Sequence, residues 1–385
     1  MPATSKQWPL RLVYGVTGEG MGHATRSRVI IEHLLKRGHE VRVVVSGRAH
    51  AFLTDRLKGY ERLSIHEIQG LTLTYVENRV DRSASLLRNL KLAPKSVREN
   101  VKVYRKVAES QFAPHAVFSD FESWAALYAT NHFLPVISID NMQIIHRCSH
   151  PKEMLRGAKL DQKLAKWAVM AKIPGAYHYL ITSFFFPPAT KKRTTLVPPV
   201  LRPEILAAKR EPGSHILVYQ TSDTNQLLVE QLRRLPYEFR FYGMRRQEDL
   251  GNVKLCQFSE SAFVDDLRTA RAVISGGGFT LMSEAVSLGV PMLSIPVQRQ
   301  FEQVLNARYL EHLGYGQCTE TLDQRTISDF LSKLDSFDER LSHYPRQDNS
   351  MLFACVDELL DRIAKGKKRP NRLKTPAMGL PSPGA

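Results

Sequence analysis

The sequence has 385 residues, of which 43% are hydrophobic and 24% charged, and its net charge is +16. The length suits two domains of a globular protein. The positive charge favours an anionic partner, which is a nucleic acid, an anionic membrane surface or a phosphorylated substrate.

The cysteines and the apolar runs limit the class of protein further. Cys148, Cys256, Cys318 and Cys355 form no CxxC pair and no zinc-finger spacing, so we expect reduced, buried thiols. The first fifteen residues lack the apolar core of a signal peptide. No apolar run approaches the roughly 20 residues that span a bilayer. We therefore expect a cytoplasmic protein whose membrane contact is peripheral, at the inner face.

The first half of the chain reads as alternating strands and helices. "LRLVYGV" (10–16) predicts a buried strand, residues 24–36 a helix, and "EVRVVVS" a second strand. This order is typical of a βαβ unit in a parallel sheet. "HAVFSD" (115–120) and "LPVISID" (134–140) extend that sheet, with the helix "ESWAALYATNH" between them.

A second series of the same kind follows the proline cluster Pro198, Pro199 and Pro203, which we interpret as a linker. Its predicted strands are 215–220, 238–243, 253–258, 272–277 and 291–297. The prediction is therefore an α/β protein with two facing, doubly wound, Rossmann-like domains, 1–200 and 201–364. The tail 365–385 has six Lys or Arg, four prolines and no acid, and we predict disorder there.

The first strand leads into a glycine-rich loop that ends at His23. The spacing of Gly15, Gly18, Gly20 and Gly22 does not match the G-x-G-x-x-G of a dinucleotide fold, nor does a G-K-[ST] ending follow. Ligands of open α/β sheets bind at this carboxyl edge. His23 is therefore either a residue pointing into a crevice or a local cap of the helix.

A second glycine loop, Gly276 to Gly278, follows a strand and precedes a helix that begins near Thr280. A helix start offers free N–H groups and a positive dipole end to a phosphate. The alternative is a tight connection without a ligand. Two such loops, one in each half, predict a shared cleft between the domains.

"GEGMGHATRS" and "SGGGFTLMSEAVSLGVPMLSIPVQRQFEQVLNARYLEHLGYG" resemble segments of the sugar-nucleotide glycosyltransferases of GT-B fold. The chain is similar to the N-acetylglucosaminyltransferase of peptidoglycan synthesis, and more so to a poorly characterised prokaryotic branch that begins "GEGxGHxxRS". The resemblance covers residues 10–47 and 258–316, and elsewhere only the layout agrees. It implies transfer of a sugar from a nucleotide sugar, for which we expect a UDP-linked donor ahead of one linked to another nucleoside diphosphate.

The resemblance also implies roles for single residues of the donor site. Gly277, Gly278, Phe279 and Thr280 match the diphosphate loop, Glu284 the ribose carboxylate, Glu302 and Gln303 the sugar-binding pair, Thr221 and Ser222 a phosphate-side loop, and Phe258 to Phe263 the base-binding segment. Glu284 and Gln303 otherwise read as an ordinary helix acid and a surface amide. Ser275 and Gly276 stand where small-molecule glycosyltransferases have a histidine motif, which disfavours a small aglycone.

Inverting transfer needs a base for the acceptor hydroxyl, and His23 is our candidate, with Gly18, Gly20 and Gly22 as the acceptor loop. Asp120, at the end of its strand, is the carboxylate expected to orient the imidazole, and Glu122 is the substitute. Asp120 otherwise reads as a helix N-cap. The resemblance implies no metal and no cofactor besides the nucleotide sugar, and the sequence has no D-x-D triplet.

Two basic stretches of the first domain, 79–110 and 145–175, mix apolar residues with Arg and Lys and include Trp167, Met170 and Ile173. Such helices suit an anionic membrane surface and a lipid-linked or glycolipid acceptor. The alternative is a solvated helix face.

Two other classes share parts of this pattern. A sugar-nucleotide 2-epimerase has the same fold and donor site but no acceptor. A nucleic-acid-binding or nucleic-acid-glycosylating protein would suit the charge, but aromatic residues interleaved with Arg and Lys are not evident, although "YHYLITSFFF" is aromatic. The sequence therefore disfavours nucleic acid as the partner.

Overall fold

The computed structural model describes residues 8–18, 20–70, 74–76, 79–108, 111–220, 226–297 and 300–374, and for 74–91 it describes the backbone alone. Within these ranges the chain forms two parallel α/β sheets flanked by helices. No described helix is both long enough and apolar enough to cross a membrane.

The first half alternates strands with helices. Its strands are β1 (Arg11–Val16), β2 (Glu40–Ser46), β3 (Leu63–Ile68), β4 (Thr74–Val76), β5 (Arg79–Asp81), β6 (Ala116–Asp120), β7 (Val136–Asp140), β8 (His178–Thr182) and β9 (Thr194–Val197). Its helices are α1 (Met21–Lys36), α2 (Arg48–Arg56), α3 (Arg82–Ala108), α4 (Ser123–Asn131), α5 (Ile144–Arg147) and α6 (Lys159–Lys172), with a 3-10 turn at Lys152–Leu155.

The described strands of the first sheet run in the order β3-β2-β1-β6-β7-β8-β9, all parallel, while β4 and β5 form a separate hairpin. The chain winds outward from β1 in one direction and from β6 in the other. The strand order therefore reverses between β1 and β6, and a crevice opens outside their carboxyl ends. The loops after Val16 and Asp120 lie at that crevice.

The second half repeats this plan. Its strands are β10 (Ile216–Tyr219), β11 (Phe239–Tyr242), β12 (Glu248–Asp249), β13 (Val253–Cys256), β14 (Ala272–Ser275), β15 (Met292–Ser294) and β16 (Gly316–Cys318). Its helices are α7 (Pro203–Ala207), α8 (Gln226–Arg233), α9 (Glu260–Thr269), α10 (Phe279–Leu288), α11 (Phe301–His312), α12 (Gln324–Leu331), α13 (Leu334–Ser342) and α14 (Ser350–Ala364).

The described strands of the second sheet run in the order β12-β13-β11-β10-β14-β15-β16, and only β12 among them is antiparallel. Here the order reverses between β10 and β14, so the loop from Gly276 to Gly278 lies at the second switch point. Both predicted glycine loops therefore stand at the reversal of their own sheet.

The central strands are buried on both faces, as a parallel sheet between helices requires. Every residue of β1 from Leu12 to Val16 is buried, and so is all of β6. This is why the sequence patterns of 10–16 and 115–120 predicted strands correctly. The prediction omitted five strands of the two sheets, β3, β8, β9, β12 and β16. The shortest of these have two to four residues, too few for a periodic pattern.

The last helix, α14, falls within the second domain as predicted from the sequence (201–364), but it packs on the first. Leu352, Val356 and Leu359 of α14 lie in the same hydrophobic core as Leu12 and Tyr14 of β1, so this helix packs on the first sheet and not on the second.

The segment that follows α14 was predicted as disordered tail, and its described part makes specific contacts. The backbone N–H of Arg193 donates to the carbonyl of Asn371 at 3.1 Å, and Tyr177 Oη donates to the carbonyl of Lys367 at 2.8 Å. Residues 375–385 lie outside the described residues. The described part of the segment after α14 therefore packs on the first domain.

Candidate active site

The two glycine loops meet across the domains. Gly20 caps the start of α1 with φ 85°, a value that favours glycine, and Gly278 caps the start of α10. Gly22, in the first turn of α1, packs directly on Thr280 of α10: a Cβ on Gly22 would stand 2.4 Å from Thr280 Oγ1. The starts of both helices therefore lie against each other, which brings the two glycine loops together, and the shared cleft between them stays a prediction.

His23, the residue after Gly22 in α1, pairs with Asp120. Its Nδ1 lies 2.8 Å from Asp120 Oδ1 at the end of β6. The His23 side chain keeps an exposed fraction of 18%, while Asp120 is fully buried. Nε2 has no hydrogen-bond partner among the described residues, so the second ring nitrogen is available to a ligand. The structure thus brings together the two residues proposed as a dyad.

Arg26 and Ser27, on the next turn of α1, complete the shell of Asp120. Arg26 donates from Nε to Asp120 Oδ2 at 2.8 Å and from Nη2 to Oδ1, and Ser27 Oγ donates to Oδ2 at 2.9 Å. With His23 these contacts occupy the roughly four acceptor positions of a carboxylate. Asp120 is therefore held as an ion in a fixed orientation.

The position of the proton on His23 follows from the same contacts. Arg26 Nη2 lies 2.5 Å from His23 Nδ1, and a guanidinium can donate but not accept. If Nδ1 carries the proton, both it and the guanidinium of Arg26 donate to the Asp120 carboxylate, and each of these donors has an acceptor. This arrangement leaves the lone pair of the neutral ring on Nε2, which makes no hydrogen bond with the described residues.

Charge and burial adjust the pKa of both partners. Burial lowers the pKa of His23 below 6.5, and the positive charge of Arg26 lowers it further, against the opposing effect of Asp120. Burial alone would raise the pKa of Asp120, but Arg26 and then His23 outweigh it and hold the pKa at about 2. At neutral pH the imidazole is therefore uncharged and the carboxylate ionised, the states that a general base and its orienting group need.

Glu122 was the predicted substitute for Asp120, and the structure gives it another role. Its carboxylate accepts from the backbone N–H of Ala125 at 2.7 Å and caps α4. It is not among the groups that contact His23. The capping role considered for Asp120 thus belongs to Glu122, two residues later in the chain.

Residues at the start of α11 hold the second glycine loop. Gln303 Oε1 accepts from the backbone N–H of Gly277 at 3.1 Å and of Val297 at 3.0 Å. Asn306 Nδ2 donates to the carbonyl of Gly277 at 3.1 Å. The amide oxygen of Gln303, predicted to bind the donor sugar, is therefore used here to fix the loop, and its role toward a sugar stays a prediction.

Glu302, the neighbour of Gln303, is a carboxylic acid whose burial disfavours the ionised form. Asn306 Nδ2 donates to its Oε1 at 2.9 Å. Burial raises its pKa to about 7, and two residues of the first domain act on it as well, since Arg26 lowers the pKa and Asp140 raises it. Arg26, beside Asp120 in the first domain, therefore acts electrostatically on Glu302 of the second domain.

Asp140, at the end of β7, was not a candidate and lies at the same sheet edge as Asp120. It accepts from Ser138 Oγ at 2.7 Å and from the backbone N–H of Gln143 at 2.9 Å, and burial raises its pKa to about 6. Within the described part of the chain, no three His, Cys, Asp or Glu side chains are grouped as a metal site.

Glu284, the predicted ribose ligand, is engaged by Arg202 from the linker. Arg202 Nη2 donates to Glu284 Oε2 at 2.8 Å, and Nε lies 2.8 Å from Oε1. The exposed fraction of the Glu284 side chain is 3%. In this conformation the carboxylate is covered, so its ribose role stays a prediction that requires the pair to admit a ligand.

The same arginine joins an ion network that spans the domains. Arg202 Nη1 donates to Glu260 Oε1 at 3.1 Å, and Arg28 of α1 lies 3.5 Å from the other oxygen of Glu260. Arg28 also donates to both oxygens of Glu204, at 2.9 and 2.8 Å. The helix that carries His23 is thereby tied to α7 and α9 of the second domain.

The aromatic residues predicted at the donor site divide by exposure. Phe258 has an exposed fraction of 56% and follows β13, so its ring is accessible. Phe263 and Phe279 are buried in the second core, where Phe279 stacks on Phe184 with ring centroids 6.1 Å apart. These two rings pack the domain and do not present a face to a base. Thr221 and Ser222 lie outside the described residues.

Four residues of the site were not predicted from the sequence: Arg26, Ser27, Arg28 and Arg202. Three of them lie in or directly after the "RS" of the opening motif. Positions 23, 26 and 27 fall on one side of a helix, so the spacing itself could have placed Arg26 and Ser27 beside His23. Arg202 had no comparable signal, because its partner Glu284 is 82 residues away.

Comparison with known proteins agrees with this architecture. Residues 10–335 match the family model described as Glycosyl transferase family 1. An uncharacterised glycosyltransferase of Methanosarcina mazei is 27% identical over 342 residues, 80% of this chain and 85% of that protein.

Two further proteins show similarity. The UDP-N-acetylglucosamine–N-acetylmuramyl-(pentapeptide) pyrophosphoryl-undecaprenol N-acetylglucosamine transferase of Staphylococcus carnosus is 27% identical over 152 residues, 37% of this chain and 41% of that one. The solved structure of a UDP-glucosyltransferase from Polygonum tinctorium superposes with a TM-score of 0.65 at 14% identity, covering 94% of this chain and all of that chain. The fold is therefore the two-domain GT-B fold.

Proposed function

The chain belongs to glycosyl transferase family 1 and is a glycosyltransferase, and from this premise we propose that it transfers a sugar from a UDP-sugar to an acceptor hydroxyl, with inversion and without a metal ion. The acceptor that we propose is lipid-linked or a glycolipid, reached at an anionic membrane surface. The observation that carries the proposal is the pairing of His23 with Asp120 at the cleft where the two glycine loops meet.

The arrangement of His23 supports its role as the base. Its Nδ1 lies 2.8 Å from Asp120 Oδ1, and its lowered pKa keeps the ring neutral at pH 7. We assign the proton to Nδ1 and the lone pair to Nε2. In the proposed step Nε2 takes the proton of the acceptor hydroxyl as the oxygen bonds to the anomeric carbon. The bond from that carbon to the diphosphate oxygen breaks, and UDP leaves with the electron pair. Asp120 stabilises the imidazolium that forms.

The start of α10 supports binding of the leaving diphosphate. Gly278 caps this helix without a side-chain cap, and a Cβ on Gly278 would meet no atom within 4 Å. The first N–H groups of a helix lack partners within it, and the dipole favours negative charge there. In the proposed complex these groups take the charge that a metal ion carries in other transferases.

Two relatives support the choice of donor and acceptor. The Staphylococcus carnosus protein is named for a UDP-sugar donor and a pyrophosphoryl-undecaprenol acceptor, and the Polygonum tinctorium enzyme is a UDP-glucosyltransferase. Glu284 suits a ribose chemically, because Arg202 occupies about two of its four acceptor positions. In the proposed complex the Arg202 pair opens, and the other positions take the vicinal hydroxyls.

The test is a screen of nucleotide sugars against a lipid extract, with release of the nucleoside diphosphate as the readout. The proposal expects UDP release that depends on the extract and persists in the presence of a chelator. Conversion of the sugar nucleotide to an epimer without any acceptor would replace it with the epimerase alternative. Absence of binding to every nucleotide sugar in a titration would exclude the proposed donor site.

A further inference from the structure

Helix α6 carries an apolar stripe on its outer face. Leu160, Leu164, Trp167 and Ala171 follow the i, i+4, i+7 and i+11 spacing that places side chains on one side of a helix. The exposed fraction is 70% for Leu160 and 67% for Trp167. The opposite side, with Val169, packs into the second hydrophobic core. A helix that is only solvated keeps polar groups outward, and α6 does not.

The charge around this stripe has one sign. Lys159, Lys163 and Lys166 are exposed and line one flank of the stripe, and Asp161 is the single acid of the helix. Lysine side chains in such a place lay their methylene stems along apolar surface and keep the ammonium in water. Apolar centre and cationic flank together match an anionic lipid interface.

An open pocket of about 660 Å³ lies at the N-terminal end of α6. Four of its lining side chains are cationic and one is acidic: Lys152, Arg156, Lys159, Lys163 and Glu153. This excess of positive charge beside the apolar stripe fits the phosphate of a lipid headgroup.

The other end of α6 reaches the candidate active site. The ammonium of Lys172, the last residue of the helix, lies 4.0 Å from the ring centroid of Phe121, and Phe121 follows Asp120 in the chain. The positive charge of Lys172 also acts on His23. A surface that covers α6 therefore comes to lie next to the dyad.

We propose that the outer face of α6, with the pocket at its start, docks on a bilayer of anionic phospholipid and so brings the cleft to an acceptor held in that bilayer. The docking surface consists of the apolar stripe, the three flanking lysines and the pocket. The supply of a lipid acceptor rests on the proposed function, but the docking itself does not.

The experiment is sedimentation of the full chain with phosphatidylcholine vesicles, with and without phosphatidylglycerol, at low and high salt. The wild type is expected to bind the anionic vesicles, and less at high salt. Leu160→Ser/Trp167→Ser is expected to lower the partition coefficient about tenfold, because it removes most of the inserted apolar area. Lys159→Gln, Lys163→Gln and Lys166→Gln are each expected to lower it about fivefold.

Leu227→Ser on α8, where the leucine is 66% exposed, and Lys254→Gln on β13 are the matched controls and are expected to bind as wild type does. Equal binding by the stripe variants, or no binding by the wild type, would overturn the proposal. So would a dimer that dissociates on Trp167→Ser, since the stripe would then serve a second copy. A UDP titration of the same proteins tests the donor site independently of vesicle binding. A protein that binds vesicles but no UDP would support the docking surface and contradict the proposed sugar transfer.

Discussion

Gly22 of α1 packs so closely on Thr280 of α10 that a Cβ on the glycine would stand 2.4 Å from Thr280 Oγ1 and 3.0 Å from its Cβ. The two residues belong to different domains and to the two loops that border the cleft. The contact sets the distance between the start of the helix that carries His23 and the start of the helix proposed to hold the diphosphate.

Gly22→Ala is therefore expected to force α1 and α10 apart. The cost of such overpacking is about 1–3 kcal/mol in the free energy of unfolding, and transfer should fall more than donor binding. Urea unfolding and a comparison of kcat with donor affinity measure both effects. Gly278→Ala is the control for stability, since its Cβ meets no atom within 4 Å. Equal stability of the two variants would mean that the loops do not touch in solution.

Arg26 is expected to set the acidic limb of the pH profile. Because its charge lowers the pKa of His23, the limb of kcat/KM should lie below pH 6.5, with the neutral base present on its alkaline side. Arg26→Gln removes that charge, so the pKa of His23 rises and the limb moves to higher pH.

The control for that experiment is Arg37→Gln, which changes an arginine that is 51% exposed and paired with Asp357, away from the cleft. It should leave the limb in place. Circular dichroism checks that Arg26→Gln still folds, since breaking a buried ion pair costs about 3–5 kcal/mol. A limb that stays fixed in folded Arg26→Gln would show that His23 does not titrate in the rate-determining step.

Glu302→Gln is expected to increase the stability of the protein at alkaline pH and to weaken donor binding there. The pKa of Glu302 is raised from its ordinary value to about 7, so the folded state binds the proton more tightly than the unfolded state does. Its contribution to stability is therefore present below its unfolded pKa of 4.5 and is lost as pH rises to about 7. Glutamine removes this loss, which is about 3 kcal/mol at pH 8 for a pKa raised from 4.5 to about 7, and thermal unfolding at pH 5 and pH 8 measures it.

Donor affinity should change in the opposite sense. An ionised Glu302 accepts hydrogen bonds from sugar hydroxyls, so wild-type affinity for the nucleotide sugar should increase as pH rises through 7, and the Glu302→Gln variant should lose that increase. Identical pH profiles for wild type and variant would remove Glu302 from the donor site.

The Arg28 network should couple the two domains. Arg28→Gln leaves Glu260 with fewer partners among buried charges, and we expect a loss of about 3 kcal/mol in the free energy of unfolding. A double-mutant cycle with Glu260→Gln should give a coupling energy of about 1 kcal/mol or more, since the residues are in contact. Additive changes would show that the ion pair across the domains contributes nothing.

The sequence predicted the two-domain fold because buried parallel strands leave continuous apolar runs such as "LRLVYGV" and because glycine loops follow two of them. It also placed His23 and Asp120 at one sheet edge, since both follow or end strands of the first sheet. Contacts between segments that are distant in the chain could not be predicted from the sequence. The pairing of Glu284 with Arg202 and the packing of α14 on the first sheet depend on three-dimensional packing, and no local pattern encodes them. The cap by Glu122 is a local contact with Ala125, three residues on, but Asp120 and Glu122 both precede α4, and the pattern alone did not choose between them.

The role of His23 is tested most directly by single-turnover transfer with His23→Ala and wild type, while the affinity of each for UDP is measured by calorimetry. In the proposed function His23 lies on the acceptor side and the helix of Gly278 on the donor side, so UDP affinity should be unchanged in the variant. The rate of transfer should fall by about 10²–10⁴-fold, the range for loss of a general base. Transfer by His23→Ala at the wild-type rate, with UDP bound equally well, would contradict the assignment of His23 as the base.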